Sequence, residues 1–287
     1  MGERLAQLSF DEYVAARLSG LSRERASGCL LARHEYRAGR MRRAWFSVLA
    51  FVAVLLASPR AWAKESSVGE PMRIQVRGAS DAFFYKPRAR GAKPVVMYLH
   101  GRGGNPAEDC RKWARVATQF GWVVCPSGAT LTESGGRSWS NGAADAQRIV
   151  DATLEALRDK YKGRVTARGH VLVGFSEGAF VAMNVGLKDQ RTWPRWLILG
   201  ASDAYWGDVS EPLSKASRKV ERVVLLTGQS DGVAPNTVRV GETLKKFKVP
   251  VQVKLVAGMG HEIPGDRMIS TYRRSFVWLM ASRGVSH

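Results

Sequence analysis

Cysteine is scarce in this chain, with three in 287 residues. That is too few for a small disulfide-stapled scaffold and excludes a zinc site built on thiolates. Long apolar runs are missing as well. No run reaches the ~18 to 20 residues that a bilayer-spanning helix needs, which excludes a multi-span membrane protein. Acidic residues are in short supply, 25 against 44 Lys and Arg, for a net charge of +19. Such an imbalance bears on solubility and on attraction to polyanions, not on fold. There is no internal repeat and no low-complexity tract, so a solenoid and a disordered chain are both excluded. What remains is 45% hydrophobic, enough for one substantial core.

The N-terminal quarter reads as a leader. Met41-Arg42-Arg43 opens a basic stretch, Ala44 to Ala57 follows without a charge, and Ser58 to Ala63 closes it with small residues in an A-x-A pattern. This three-part order predicts a secretory signal peptide over residues 41–63, cleaved after Ala63. The competing readings are a buried core helix and a retained signal anchor. Residues 1–40 are expected to be an over-extended N-terminus, because a basic leader is normally only a few residues long. Lys64, not Cys, follows the cleavage site, so no lipid anchor and no stable membrane anchor is expected. The leader carries ten basic and five acidic residues, which leaves residues 64–287 at +14. The protein is therefore expected to be secreted or periplasmic; its basic folded domain reads first as an Arg-rich solvated surface with no particular partner, and weak attraction to anionic envelope polymers is the alternative. No nucleic-acid motif accompanies the charge, and no nucleic-acid partner is expected.

From residue 72 onward, short apolar runs alternate with helix-periodic stretches. Met72 to Val76 and Ala82 to Tyr85 read as an opening hairpin. Val95 to Leu99, Trp122 to Cys125, Val171 to Val173, Trp196 to Leu199 and Val223 to Leu226 are continuous apolar runs, as parallel strands covered on both faces require. Val251 to Leu255 alternates instead, which suits a strand near a sheet edge. Between them Trp113, Val116, Ala117 and Phe120 share one helical face, as do Val150, Leu154, Leu157 and Tyr161, and later Ile269, Tyr272, Phe276 and Met280. The pattern predicts an α/β fold, one mostly parallel central sheet flanked by helices, with no insertion long enough for a large lid.

Chemistry concentrates in loops that follow strands. Gly174-Phe175-Ser176-Glu177-Gly178 sits between a buried strand and a small-residue helix, the context of a nucleophile elbow that presents a serine at the strand's C-terminal end. A serine hydroxyl needs a base. Of the five histidines, His34 falls in the leader, His287 is terminal, His170 begins the elbow strand at the far end of the sheet, and His100 sits inside a glycine-rich turn. His261, after the last strand, remains. Two aspartates follow strands on the same rim and compete as its partner. Asp231 is preferred over Asp203 because its strand directly precedes the histidine's; an Asx-turn role is open to either. The loop Leu99-His100-Gly101-Arg102-Gly103-Gly104 can turn backbone donors inward, and the amides of Arg102 and Glu177 are the candidate oxyanion pair. The Arg102 side chain either adds positive potential or points to solvent. Glu177, on the first helical turn, is expected to point its side chain outward.

With these motifs in hand, the chain resembles the α/β-hydrolases, in the small lidless branch of carboxylesterases, dienelactone hydrolases and polyhydroxyalkanoate-depolymerase-like esterases. The resemblance rests on LHGRGG at Leu99 to Gly104, GFSEG at Gly174 to Gly178, TGQSDGVAP at Thr227 to Pro235 and GMGH at Gly258 to His261. It implies a Ser176–Asp231–His261 triad, an oxyanion hole from Arg102 and Glu177, and hydrolysis of carboxylic esters through an acyl-enzyme with no cofactor. Dienelactone hydrolases proper use a cysteine nucleophile, so that reaction is disfavoured.

Trp139, and Tyr205 with Trp206, lie in loops opening on the same rim and are candidate substrate-binding residues; packing beneath a loop is the competing role. Cys110 begins the first helix and Cys125 ends the strand after it, which puts both at one rim and predicts a disulfide between them; otherwise they serve as small buried apolar side chains. A small-molecule or polymeric ester is the expected substrate. A peptidase or thioesterase on the same machinery, and a non-catalytic envelope-binding relative, are the alternatives.

Overall fold

The register of eight strands organises the molecule. A computed structural model describes residues 68–281, apart from Tyr205 and Gly207. The leader and cleavage-site expectations for residues 1–63 fall outside the described residues. The strands are β1 Met72–Ile74, β2 Ala82–Tyr85, β3 Val95–Leu99, β4 Trp122–Cys125, β5 Thr130–Leu131, β6 Arg137–Ser138, β7 Val171–Phe175, β8 Arg195–Leu199, β9 Arg222–Gly228 and β10 Val251–Val256. The main sheet runs in the order β1-β2-β4-β3-β7-β8-β9-β10, with β5 and β6 forming a separate small hairpin. All pairings from β4 to β10 are parallel, and β1 and β2 join antiparallel at one edge.

Burial follows from that topology. Every residue of β3 and β4 is buried, as are all but the end residues of β7, β8 and β9, because helices cover both faces. Strand β10 lies at an edge and is only half-buried. Successive side chains point to opposite faces. Val95, Met97 and Leu99 therefore join one core with helices α2 (Ala143–Lys160), α3 (Glu177–Lys188), α4 (Ser210–Ala216) and α5 (Ala234–Lys246). Val96 and Tyr98 join the other, with α1 (Pro106–Ala117) and α6 (Met268–Met280). Trp113 of α1 anchors that second core, its ring 4.9 Å from Tyr272 and 6.1 Å from Phe276 of α6.

The start of α1 matches its local chemistry. Asn105 caps α1, its side-chain oxygen accepting from the amides of Ala107 and Glu108, with Pro106 at the first turn, where a missing N–H does no harm. Cys110 of α1 and Cys125 of β4 form a disulfide with Cα atoms 5.7 Å apart, and both residues are fully buried. Among the described residues no helix is long and apolar enough to cross a membrane. The longest excursion from the sheet, residues 126–142, carries the β5–β6 hairpin and no large lid.

Candidate active site

A parallel sheet gathers the loops that follow its strands along one rim. Ser176, between β7 and α3, adopts φ 55° and ψ −118°, a region that is strained for a residue with a Cβ. Contacts on both sides hold it there: its amide donates to the Leu199 carbonyl at 3.0 Å, and its carbonyl accepts from Ala179 at 2.9 Å. The flanking glycines permit the turn. A Cβ at Gly174 would sit 2.2 Å from the Gly178 carbonyl oxygen, and one at Gly178 would sit 2.1 Å from that of Leu99. Any other residue at either place would push the elbow off the sheet.

Asp231, 5% exposed, lies in the turn after β9. One carboxylate oxygen accepts from the Val233 amide at 2.9 Å. The other accepts from the Thr227 hydroxyl and lies 2.8 Å from His261 Nδ1. Burial pushes this carboxyl up, but the hydrogen bonds from His261, Thr227 and Val233 outweigh it and hold it below its ordinary value. With Nδ1 donating to Asp231, Nε2 of the neutral ring is left as the acceptor. The imidazole rests on the Phe175 ring, centroids 4.9 Å apart, and a Cβ at Gly200 would touch it at 2.7 Å. Phe175 and Leu199-Gly200 thus border both Ser176 and His261. No direct hydrogen bond joins them among the described residues; in free serine hydrolases this contact is often loose and tightens with substrate.

Asp203 points elsewhere, in a two-pronged pair with Arg239 of α5 at 2.7 and 2.9 Å. His100 is fully buried and committed: Nδ1 donates to the Gly101 carbonyl at 2.8 Å, and Nε2 accepts from the Gly128 amide at 3.0 Å. Burial lowers its pKa, so it stays neutral.

In the glycine-rich loop after β3, the Gly103 amide donates to the Arg137 carbonyl and the Gly104 amide to the Gly101 carbonyl. The amides of Arg102 and Glu177 make no such bond among the described residues, so both stay available beside the serine. A cavity of about 190 Å³ opens next to them, lined by Tyr98, Gly101, Arg102, Phe175 and Ile263 among others. Among the described residues no three His, Cys, Asp or Glu side chains gather as a metal ion would require.

Three expectations are corrected, those for Glu177, Trp139 and Trp206. Glu177 does not point outward: it is 4% exposed, and its carboxylate accepts from the Ser138 hydroxyl at 2.9 and 3.0 Å, the Trp139 amide at 3.1 Å and the Asn141 amide at 3.2 Å. Arg102 closes the cluster at 3.4 Å, so its guanidinium is not free in solvent. Three donors and an opposite charge outweigh the helical-turn position that suggested exposure. Trp139 is not an open pocket wall. It is 1% exposed, stacked on His100 with centroids 5.0 Å apart, and its indole N–H donates to the His100 carbonyl at 2.9 Å. Trp206 is likewise packed into the core at 6% exposure. Tyr205 lies outside the described residues.

Sequence reasoning missed two components. Phe175 supports the imidazole, and the β5–β6 hairpin clamps the glycine-rich loop after β3 through paired bonds between Arg137 and Gly103-Gly104, at 2.8 and 2.9 Å. The paired glycines were the available signal: a Cβ at Gly136 would sit 2.2 Å from the Gly103 carbonyl oxygen.

Against known structures the same architecture recurs. Esterase PE8 shares 20% identity at a TM-score of 0.53, over 68% of this chain and 95% of its own. The Bacillus cereus carboxylesterase shares 16% at 0.54, over 71% and 94%. Porphyromonas gingivalis dipeptidyl peptidase 4 shares 16% at 0.52, over 73% and 35%. At these identities the likeness is one of fold, and it spans ester and peptide chemistry alike. A sequence comparison with curated proteins finds no match. The sequence profile of the phospholipase/carboxylesterase family, however, matches residues 83–274. With its mostly parallel sheet and the loops along its rim, the chain belongs to that family of α/β-hydrolases.

Proposed function

We propose that the protein is an exported serine esterase in which Ser176 forms an acyl-enzyme. The observation that carries this reading is the 2.8 Å contact between His261 Nδ1 and the buried Asp231 carboxylate, on the rim where the strained elbow holds Ser176. In the proposed cycle, His261 Nε2 takes the Ser176 proton as the hydroxyl oxygen attacks the ester carbonyl carbon. The resulting oxyanion accepts from the amides of Arg102 and Glu177. His261 then protonates the leaving alcohol as the C–O bond breaks. Water, deprotonated by the same imidazole, releases the acid and restores the serine. Asp231 holds the tautomer and stabilises the imidazolium. The small cavity beside Arg102 and Phe175 favours short acyl groups over long chains.

The test uses the full chain with p-nitrophenyl acetate. Ser176→Ala is expected to reduce turnover by about a thousandfold or more, and a fluorophosphonate probe should label Ser176 in the wild type alone. Equal rates in the two proteins would favour a non-catalytic binding relative. Peptidase or thioesterase action is the second reading, supported by the shared fold of the dipeptidyl peptidase; a panel of ester, thioester and amide substrates of graded length ranks the three. Export is read from the leader, and N-terminal sequencing of the mature protein should begin at Lys64.

A further inference from the structure

The charge of this molecule is segregated along the strand axis. At the N-terminal ends of the parallel strands, residues 86–94, 117–121, 158–170, 188–195, 216–222 and 245–250 hold eighteen Lys and Arg against three acidic residues, Asp159, Asp189 and Glu221. At the opposite, catalytic rim, residues 100–109, 126–142, 176–177, 200–211, 228–234 and 257–268 hold three basic residues against ten acidic ones. The positive excess of the folded domain therefore sits on one face, turned away from the candidate active site.

Helix ends account for only part of it. The six helices point their C-termini toward this basic rim, and cations there complement about half a negative charge per helix, about three in all. An excess of fifteen exceeds that several-fold. Internal ion pairs remove little more: Glu221 is matched by Arg195 at 2.8 Å. The rim also has relief. One recess of about 600 Å³ is lined by Arg168, Arg191, Arg195 and Lys219, with Glu221, the partner of Arg195, on the same wall. Its neighbour, about 410 Å³, is lined by Arg158 and Lys162. Ala167 borders one and Arg168 the other, so the two adjoin. Arginine forks are suited to phosphate oxygens, which they bind in pairs. The exposed large apolar side chains among the described residues are Leu131, Leu255, Ile269 and Val277, and none lies in these segments. The rim therefore supplies no apolar wedge to add to any attraction for a charged bilayer surface.

We infer that this basic rim docks a linear phosphate-bearing polyanion, leaving the catalytic rim facing away from the polymer. The inference is independent of the esterase reading. Its test measures binding of long-chain inorganic polyphosphate to the full chain as a function of salt. Saturable binding is expected, falling steeply between about 50 and about 200 mM salt. The variant Lys162→Gln/Arg168→Gln/Arg191→Gln/Lys219→Gln should bind about tenfold or more weakly at about 150 mM salt, with an unchanged thermal unfolding midpoint. A control removing the same charge elsewhere, Arg77→Gln/Arg148→Gln/Arg267→Gln/Arg273→Gln, should lose less than about twofold. Equal losses in both variants would show that net charge alone attracts the polymer and would overturn the site. No saturable binding, or binding to anionic phospholipid vesicles but not to polyphosphate, would overturn it too.

Discussion

Glu177 is the residue whose environment most changes what the sequence suggests. Its carboxylate joins three segments at once: the elbow that carries it, Arg102 of the loop after β3, and residues 138–141 from the end of β6 onward. Removing one partner of a buried cluster leaves the others desolvated and unpaired, which is costlier than losing a surface pair. Glu177→Gln also turns an amide donor toward the donors of Trp139 and Asn141. It should lower stability by about 2–4 kcal/mol, read as a shift in the urea midpoint at constant slope. Because Arg102 is released, ester turnover should fall with it, chiefly in kcat. An unshifted midpoint would mean the cluster is solvated in solution. None of this was legible from position on a helix turn: a glutamate at a helix start is ordinarily exposed, and only the loop folding back over it makes it a buried ligand.

Among the elements, the turns after β9 and β10 fix the spacing of Asp231 and His261. Their backbones nearly touch: the Ser230 amide donates to the Met259 carbonyl at 3.1 Å, and a Cβ at Gly228 would sit 1.9 Å from that same oxygen. The obstacle is main chain, which has no rotamer to yield. Gly228→Ala should therefore push the two turns apart, lowering stability by about 1–3 kcal/mol and activity by more than the stability loss explains. Activity measured well below the unfolding temperature separates the two effects, and full activity there would rule out this spacing role. The strands, their burial and their common rim were readable from continuous apolar runs, since the period alone reports two covered faces. The β5–β6 hairpin was not, because two-residue strands leave no periodic trace. Strand order already preferred Asp231 over Asp203; what local pattern did not contain is the arginine of α5 that engages Asp203.

For the molecule as a whole, acid should act through His170 at the rim opposite the candidate site. It is fully buried. The Val95 amide donates to Nδ1 at 3.0 Å, and the Arg158 guanidinium lies 3.1 Å from Nε2. Burial first, then the Arg158 charge, lowers its pKa to about 3; Nδ1 accepts from Val95, so a second ring proton would have to sit there against an N–H, beside the Arg158 cation. The contribution is complete above about pH 6.5, where both folded and unfolded forms are neutral. As the pH drops toward 3 the unfolded chain takes the proton first, and stability is lost at up to about 1.4 kcal/mol per unit. Urea unfolding across that window should show a shallower pH slope in His170→Gln; identical slopes would assign the acid sensitivity to other groups. Sequence by itself determined the sheet, the elbow and the loops that could carry chemistry, since apolar period and glycine placement are local consequences of burial and close approach. Tertiary structure alone decided which donors surround Glu177, what engages Asp203, where Trp139 and Trp206 are buried, and on which rim the positive charge collects. Those depend on segments distant in the chain, and no local pattern encodes their meeting.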